Sequence, residues 1–159
     1  MVLRPEPTQV LVLAGVASSI LVYNQQMGFS FEVDDEQKTA RWSLTGEVTD
    51  ASFRESLRIV NGILVGLDLR GGIIDFTGAT SFGVSEDSLT QLARTNPVLP
   101  REMLRLIVAP EDHAFRMSRT FVELSEVARP NIFVVRSIDA ANHMLGIRSP
   151  QYRVLASSD

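Results

Sequence analysis

The sequence contains no cysteine and only one lysine, Lys38, among its 159 residues. A chain without cysteine forms no disulfide and has no thiolate for catalysis or for binding zinc. Histidine is scarce as well, because His113 and His143 are the only two and stand far apart in the chain. No set of residues has the spacing of a metal site, so we predict neither a metal nor a cofactor.

Positive charge is limited, with 15 lysine and arginine residues against 19 acidic ones and a formal net charge of −4. Nucleic-acid interfaces need clustered basic side chains, and here they are scattered, so we predict no nucleic-acid partner. The hydrophobic content of 45% is ordinary for a folded domain, and the length suffices for one core. The lack of cysteine suits the cytoplasm, where we expect the protein to be located.

The chain begins with an apolar run that is short for a membrane span. Residues 10–22, VLVLAGVASSILV, are 13 in number, whereas a spanning helix needs about 20. Three interpretations of residues 1–27 stay open: an extra element packed on this domain or on a partner, a loose extension, and a signal or anchor segment. We expect membrane contact only if residues 10–22 act as an anchor.

Apolar and polar residues alternate with a period of two after this run. GFSFEVDD from Gly28 and TARWSLTGEV from Thr39 both alternate, which predicts the two strands of an antiparallel hairpin. The segment TDASFRESLRIVNG predicts a helix with Thr49 as its N-cap and Gly62 at its C-terminal end. ILVGLDLRG, residues 63–71, is nearly continuously apolar and predicts a buried strand.

Helices and strands alternate in the rest of the chain. The predicted elements are a helix capped by Ser85, the strand MLRLIVA, a helix that begins near Pro110, the strand NIFVVR, and a short helix after Ser137. This order predicts an α/β domain with a mixed β-sheet, in which an N-terminal antiparallel hairpin is followed by βα repeats and helices pack on the sheet. We assign this domain to residues 28–147 and expect residues 148–159 to form a fraying tail.

GGIIDFTGATSFG, residues 71–83, is predicted to connect the strand before it to the helix after Ser85. Its glycines do not form a known phosphate-binding loop, because G-x-x-x-x-G-K-[ST] and G-x-G-x-x-G are both absent. A G-x-S-x-G nucleophile motif is also absent, and no histidine lies near Ser85 in the sequence. We therefore predict no catalytic residue and no enzymatic activity.

The element order and the central residues resemble the STAS fold of anti-sigma-factor antagonists, in particular the SpoIIAA-like bacterial group. In that family a buried LDL-type strand leads to an apolar residue, then D-S-S-G, then a helix. Here LDL is followed by IDFTG, in which Asp75 and Gly78 match, Thr77 falls on the second serine and Phe76 replaces the first. The later segment LIVAPEDHAFRMSRTFVEL is similar to the V-A-P-x-D-x-x-F segment of STAS-like bacterial proteins.

This resemblance implies a non-enzymatic protein-interaction or regulatory module. It implies phosphorylation at Thr77, although a turn hydroxyl that bonds its own backbone is the other interpretation of this threonine. The partner implied is a regulatory kinase or a sigma-like or anti-sigma-like protein. The implied interaction loop comprises Asp75, Phe76, Gly78, Thr80, Ser81 and Ser85, and its hydroxyls compete with Thr77 as phosphorylation sites.

Two other functions stay open from the sequence. One is a carrier domain that holds a small apolar ligand or lipid between the sheet and its helices, by analogy between folds. The other is an enzyme of unknown type that uses Asp75 and Arg70 near strand ends, where α/β folds place their sites. A homodimer also stays open, because the hairpin has an exposed edge and residues 10–22 are apolar.

Overall fold

The computed structural model describes residues 26–158. The predictions made for the apolar run at residues 10–22 lie outside the described residues. The strands are β1 (Gly28–Asp34), β2 (Thr39–Thr49), β3 (Gly71–Gly83), β4 (Leu104–Val108), β5 (Ile132–Val135) and β6 (Arg153–Ser157). The helices are α1 (Asp50–Leu64), α2 (Glu86–Ala93), α3 (Asp112–Leu124) and α4 (Ile138–Leu145).

The six strands form one mixed sheet in the order β5-β4-β3-β2-β1-β6. β1 is antiparallel to both of its neighbours, β2 and β6. The strands from β2 to β5 run parallel to one another. The prediction of an α/β domain with an N-terminal hairpin followed by βα repeats is therefore confirmed.

The helices cover the two faces of the sheet unequally. α1, α2 and α3 bury side chains such as Val60, Leu89 and Phe121 against one face, in the larger hydrophobic cluster. α4 alone packs on the other face, where Ala141 and Leu145 contact a smaller cluster. The part of this second face that lies over β1 and β2 is consequently free of helices in the described part.

Polar side chains start three of the helices at the predicted positions. The side chains of Thr49, Ser85 and Ser137 each accept a hydrogen bond from a backbone N–H in the first turn of α1, α2 and α4. Such a bond satisfies one of the N–H groups that a helix start leaves without a partner. Gly146 ends α4 with φ of +66°, a conformation that glycine adopts without strain.

The strand predicted for residues 63–71 is wrong. α1 continues through Gly62 and ends at Leu64, and residues 65–70 lead from it into β3. Ile63 and Leu64 pack against the larger hydrophobic cluster together with the rest of α1. The apolar run is therefore divided between the end of an amphipathic helix, Ile63 and Leu64, and a connection whose Leu67 and Leu69 pack on the same cluster.

The central strand is β3, Gly71–Gly83, the stretch predicted to be a connection. Its buried side chains include Ile73, Phe76 and Phe82, while several of its hydroxyl residues are exposed. Exposed hydroxyls suggested a loop, but a strand accommodates them wherever one of its faces or edges is uncovered.

The C-terminal segment is not a fraying tail over its whole length. Arg153–Ser157 form β6, an edge strand that pairs with β1. The side chain of Gln37 helps to fix this segment, because its Nε2 donates to the carbonyl of Arg148 and its Oε1 accepts from the Arg148 N–H. No helix among residues 26–158 has the length and hydrophobicity needed to cross a bilayer.

Candidate functional site

β3 extends well beyond the strand on one of its sides. β4 pairs with β3 only from Gly71 to Asp75, whereas β2 pairs with it as far as Gly83. Beyond Asp75, β3 therefore has β2 as its only neighbouring strand in the described part. This C-terminal half of β3 carries most of the residues predicted for the site, namely Phe76, Thr77, Gly78, Thr80 and Ser81.

Phe76 does not face a partner. Its side chain is buried, and its ring packs edge-to-face on that of Phe82 with 5.0 Å between the centroids. The sequence placed Phe76 in an exposed interaction loop, and this placement is wrong because alternation along β3 turns the ring into the core. Thr77, Gly78, Thr80 and Ser81 are exposed, and Asp75 is half-buried.

Thr77 lies within β3 and bonds to Asp75. Its backbone N–H donates to Asp75 Oδ1 at 2.9 Å, and its hydroxyl donates to the same oxygen. A phosphate on this hydroxyl would lose that bond and stand against the Asp75 carboxylate. Thr77 also lies eight residues before Ser85, the N-cap of the following helix. The position is thus unlike the helix start that the family motif requires.

Gly78 is required by strand packing. It pairs with Thr45 of β2, and a Cβ placed on Gly78 would lie 2.7 Å from Thr45 Cγ2. Such a contact is too close for any ordinary side chain. The match of Gly78 to the glycine of D-S-S-G therefore has a local structural explanation, which is the close approach of β2 and β3.

Ser85 occupies the junction between the central strand and α2. Its Oγ accepts from the Ser88 N–H at 3.1 Å, and its own N–H donates to Asp50 Oδ1 at 2.7 Å. Asp50 is the first residue of α1, so this bond ties the N-termini of two helices together. The hydrogen bonds from Ser85, chiefly from its backbone, hold the pKa of Asp50 below its usual value.

Three acidic side chains lie at this junction, and Arg54 of α1 is close enough to Asp50 to lower its pKa as well. Glu86 and Asp87 are exposed in the first turn of α2, and Asp50 is half-buried beside Ser85. Negative charge is favourable at a helix N-terminus, where the backbone N–H groups and the helix dipole present positive charge. The junction therefore presents a hydroxyl among carboxylates, which suits recognition by a basic surface.

Arg70 and Asp75 are not joined by a salt bridge. Arg70 donates from Nε to the carbonyl of Gln37 and from Nη1 to that of Leu145, both at 2.8 Å. These bonds place it at the N-terminal end of β3. Within residues 26–158, no cluster of three acidic or histidine side chains is placed to hold a metal ion.

The bond between Asp50 and Ser85 was missed by the sequence analysis. The sequence identifies Thr49 and Ser85 as residues at helix starts, but no local pattern links Asp50 to Ser85. The two helix starts are 35 positions apart. They meet because β2 and β3 are parallel neighbours whose C-terminal ends lie at the same edge of the sheet.

The sequence matches no family model and no curated protein. Among solved structures, the chain is similar to the anti-sigma factor antagonist SpoIIAA in its unphosphorylated form, with a TM-score of 0.51 and 14% sequence identity. The match covers 76% of this chain and 99% of that one. At such low identity the likeness concerns the fold alone. The chain has a STAS-like fold, as the resemblance in its sequence implied.

Proposed function

We propose that this chain is a non-enzymatic, STAS-like regulatory module that binds a protein partner through its β3–α2 surface. This surface consists of the exposed residues Thr77, Gly78, Thr80, Ser81, Glu86 and Asp87. It combines an extended strand edge with the N-terminus of a helix, and both offer backbone groups to a partner. We expect the module to act in a bacterial cytoplasm.

The observation that carries the proposal is the position of Ser85. It stands directly before α2 and two residues after the end of the central strand, close to where the STAS family places its phosphorylated serine. Its hydroxyl is partly exposed and caps the helix. Thr77 lacks these features because it lies in mid-strand and bonds to Asp75. We therefore assign the regulated position to Ser85 in place of Thr77.

Phosphorylation of Ser85 would disturb the contact with Asp50. A phosphoserine carries about two negative charges at neutral pH. Those charges would stand close to Asp50, Glu86 and Asp87, and the repulsion would oppose the favourable effect of the helix N-terminus. The link between α1 and α2 is therefore expected to weaken, and the β3–α2 surface to change its charge and shape together.

The charge of the surface also defines the partner. A protein that docks here meets carboxylates at the start of α2, so its own contact surface should be basic. A regulatory kinase or a sigma-like or anti-sigma-like protein with such a surface fits the proposal. The oligomeric state of the free chain is a separate question. Light scattering during size-exclusion chromatography of the purified chain answers it.

The test compares surface and remote charge reversals. Partners are cross-linked and captured from the native cells with the unmodified chain, with Glu86→Lys/Asp87→Lys, and with the control Glu55→Lys, which changes an exposed residue of α1. A partner that binds stoichiometrically to the unmodified chain and the control, but not to the surface variant, supports the proposal. Equal capture by all three chains contradicts this surface.

The modification is tested on the same material. Intact mass and peptide mapping of the chain from its native cells should show a phosphate on Ser85 in a fraction of the molecules. The partner should then fail to bind Ser85→Asp while still binding Thr77→Asp. A phosphate found on Thr77, or a partner insensitive to Ser85→Asp, would contradict the assignment of the regulated position.

A further inference from the structure

An apolar cavity of about 170 Å³ lies between the sheet and the three helices on its main face. Trp42, Ile74 and Phe76 form part of its floor, and Leu57 of α1 and Leu92 of α2 form part of its roof. The connection after α2 borders it through residues 95–99, of which Val98 is exposed. The cavity therefore has an apolar body and a route to solvent beside this connection.

Two arginine side chains line this mainly apolar cavity, together with the uncharged polar residues Asn61, Thr95, Asn96 and Ser118. Arg105 on β4 and Arg129 after α3 are each 8% exposed, and both border the cavity. Neither forms a salt bridge with any carboxylate in the described part of the chain. A buried charge without a counter-charge is costly, and arginine keeps its charge because its pKa is far above neutrality.

Backbone carbonyls satisfy only some of the donors of these two groups. Arg105 donates from Nη1 and Nη2 to the carbonyls of Met103 and Pro100 at 3.0 and 2.8 Å, with longer bonds to two more carbonyls. Arg129 donates to Ala93 and Thr95 at 3.2 to 3.5 Å. The Nε of each arginine donates to no group among residues 26–158. Burial lowers the pKa of both groups, and the charge of Arg129 lowers that of Arg105 further.

Trp42, which also lines the cavity, carries a buried donor without a partner among residues 26–158. Trp42 lines the cavity and is 5% exposed, and its buried Nε1 makes no hydrogen bond in the described structure. An unsatisfied buried donor of this kind costs about 1–3 kcal/mol. Arg105 and Arg129 are therefore the charged groups of the cavity lining, both positive, and its other polar residues are uncharged.

We propose that this cavity binds a small monocarboxylate with an apolar tail, whose carboxylate contacts Arg105 and Arg129. Two guanidinium groups without a carboxylate partner suit the negative charge of a carboxylate, and the leucines and aromatic rings suit the tail. An engineered apolar cavity of about 150 Å³ is known to hold benzene. The tail is therefore the size of one ring or of a short acyl chain. This inference does not depend on the proposed regulatory function.

Trp42 provides the measurement, because it is the only tryptophan of the chain and lines the cavity. The fluorescence of the full chain is titrated with octanoate, with octanol and with octylammonium, which share one tail. Octanoate should give a saturable change, and the other two should bind at least about tenfold more weakly, since a charge-assisted hydrogen bond is lost. Equal binding of octanoate and octanol, or no saturable change with octanoate, would overturn the proposal.

Two variants locate the site. Arg129→Met should weaken octanoate binding at least about tenfold, whereas the control Arg58→Met, on the exposed face of α1, should leave it unchanged. Leu57→Phe should weaken octanoate and octanol alike by filling the cavity from the helix side. Unchanged binding in a folded Arg129→Met chain contradicts the proposal. Should that variant not fold, Leu57→Phe and the three-ligand series on the unmodified chain decide the matter.

Discussion

The carboxylate of Asp50 accepts a 2.7 Å hydrogen bond from the backbone N–H of Ser85, and so joins the first residue of α1 to the N-cap of α2. The two residues are 35 positions apart and belong to different βα units. The bond makes the start of α2 dependent on the position of α1. A change of charge at Ser85 would therefore affect the N-termini of both α1 and α2.

Replacement of Asp50 should lower stability. Asp50→Ala removes the acceptor and leaves the Ser85 N–H without its partner, which should cost about 1–3 kcal/mol in the free energy of unfolding measured with urea. Asp87→Ala, which removes an exposed acid from the first turn of α2, is the matched control and should cost less than about 1 kcal/mol. Equal losses in the two variants would show that only helix-dipole charge matters here.

The contribution of Asp50 should also depend on pH. Its hydrogen bonds from Ser85 lower its pKa in the folded state below the ordinary value of 3.8. A lowered folded-state pKa means that the stabilisation is present above the unfolded pKa and is lost as the pH falls through the folded one. The unmodified chain should therefore lose stability below about pH 4 more steeply than Asp50→Ala does. Parallel pH profiles of the two chains would contradict this.

The contact between Gly78 and Thr45 gives a second prediction. A Cβ on Gly78 would meet Thr45 Cγ2 at 2.7 Å, so Gly78→Ala should destabilise the chain by about 1–3 kcal/mol. The double variant Thr45→Ala/Gly78→Ala removes the methyl group responsible and should recover most of this loss. Urea unfolding of the two single variants and the double variant measures the coupling. Simple additivity would show that the cost of Gly78→Ala has another origin.

The sequence predicted the fold class because its local signals agree with one another. Thr49, Ser85 and Ser137 are caps in the sequence and in the structure. The alternation of strands and helices after the hairpin allows few topologies, since crossovers between parallel strands have one hand. Helix caps and the alternation of strands and helices depend on residues that are close together in the chain, so they can be recognised in a single sequence.

The candidate site was less accessible from the sequence. Ile63 and Leu64 extend α1, and their apolar character was mistaken for a strand, which moved the central strand from Gly71–Gly83 to residues 63–71. The family motif was consequently placed on Thr77, although Ser85 starts the helix. Neither the bond from Asp50 to Ser85 nor the burial of Arg105 and Arg129 beside one cavity leaves a local pattern, because each depends on how distant elements pack.

Asp34 gives a prediction about the C-terminal strand. Its carboxylate accepts hydrogen bonds from the backbone N–H groups of Gln37 and Gln151, each at 2.9 Å, and these bonds lower its pKa. Asp34→Asn replaces one acceptor oxygen by an NH₂ group that faces a donor. We expect lower protection of the β6 amides against hydrogen exchange in this variant. The unmodified chain should lose the same protection, relative to the intrinsic exchange rate at each pH, as the pH falls through the lowered pKa of Asp34, since the bonds require the ionised form.

The matched control for Asp34 is its neighbour. Asp35 pairs with Arg153 of β6 at 2.9 Å, but both side chains are more than half exposed. Exposed ion pairs contribute about 0–1 kcal/mol. Asp35→Asn should therefore change the exchange of the β6 amides much less than Asp34→Asn. If the two variants behaved alike, β6 would be held by its pairing with β1 alone.

Replacement of Arg105 should show whether a buried charge stabilises the connection before β4. Its guanidinium donates to the carbonyls of Leu99, Pro100, Arg101 and Met103, so it holds this segment from within. Arg105→Met removes a charge that is unfavourable when buried, but it also takes a donor from each of these carbonyls, of which that of Pro100 still accepts from the Met103 N–H. We expect the second effect to prevail, with a loss of about 2–4 kcal/mol in urea unfolding, since each unsatisfied buried group costs about 1–3 kcal/mol.

Arg101→Met, an exposed control in the same segment, should change stability by less than about 0.5 kcal/mol. A gain in stability for Arg105→Met would mean that desolvation outweighs the carbonyl bonds, as in buried ion pairs whose hydrophobic replacements are more stable.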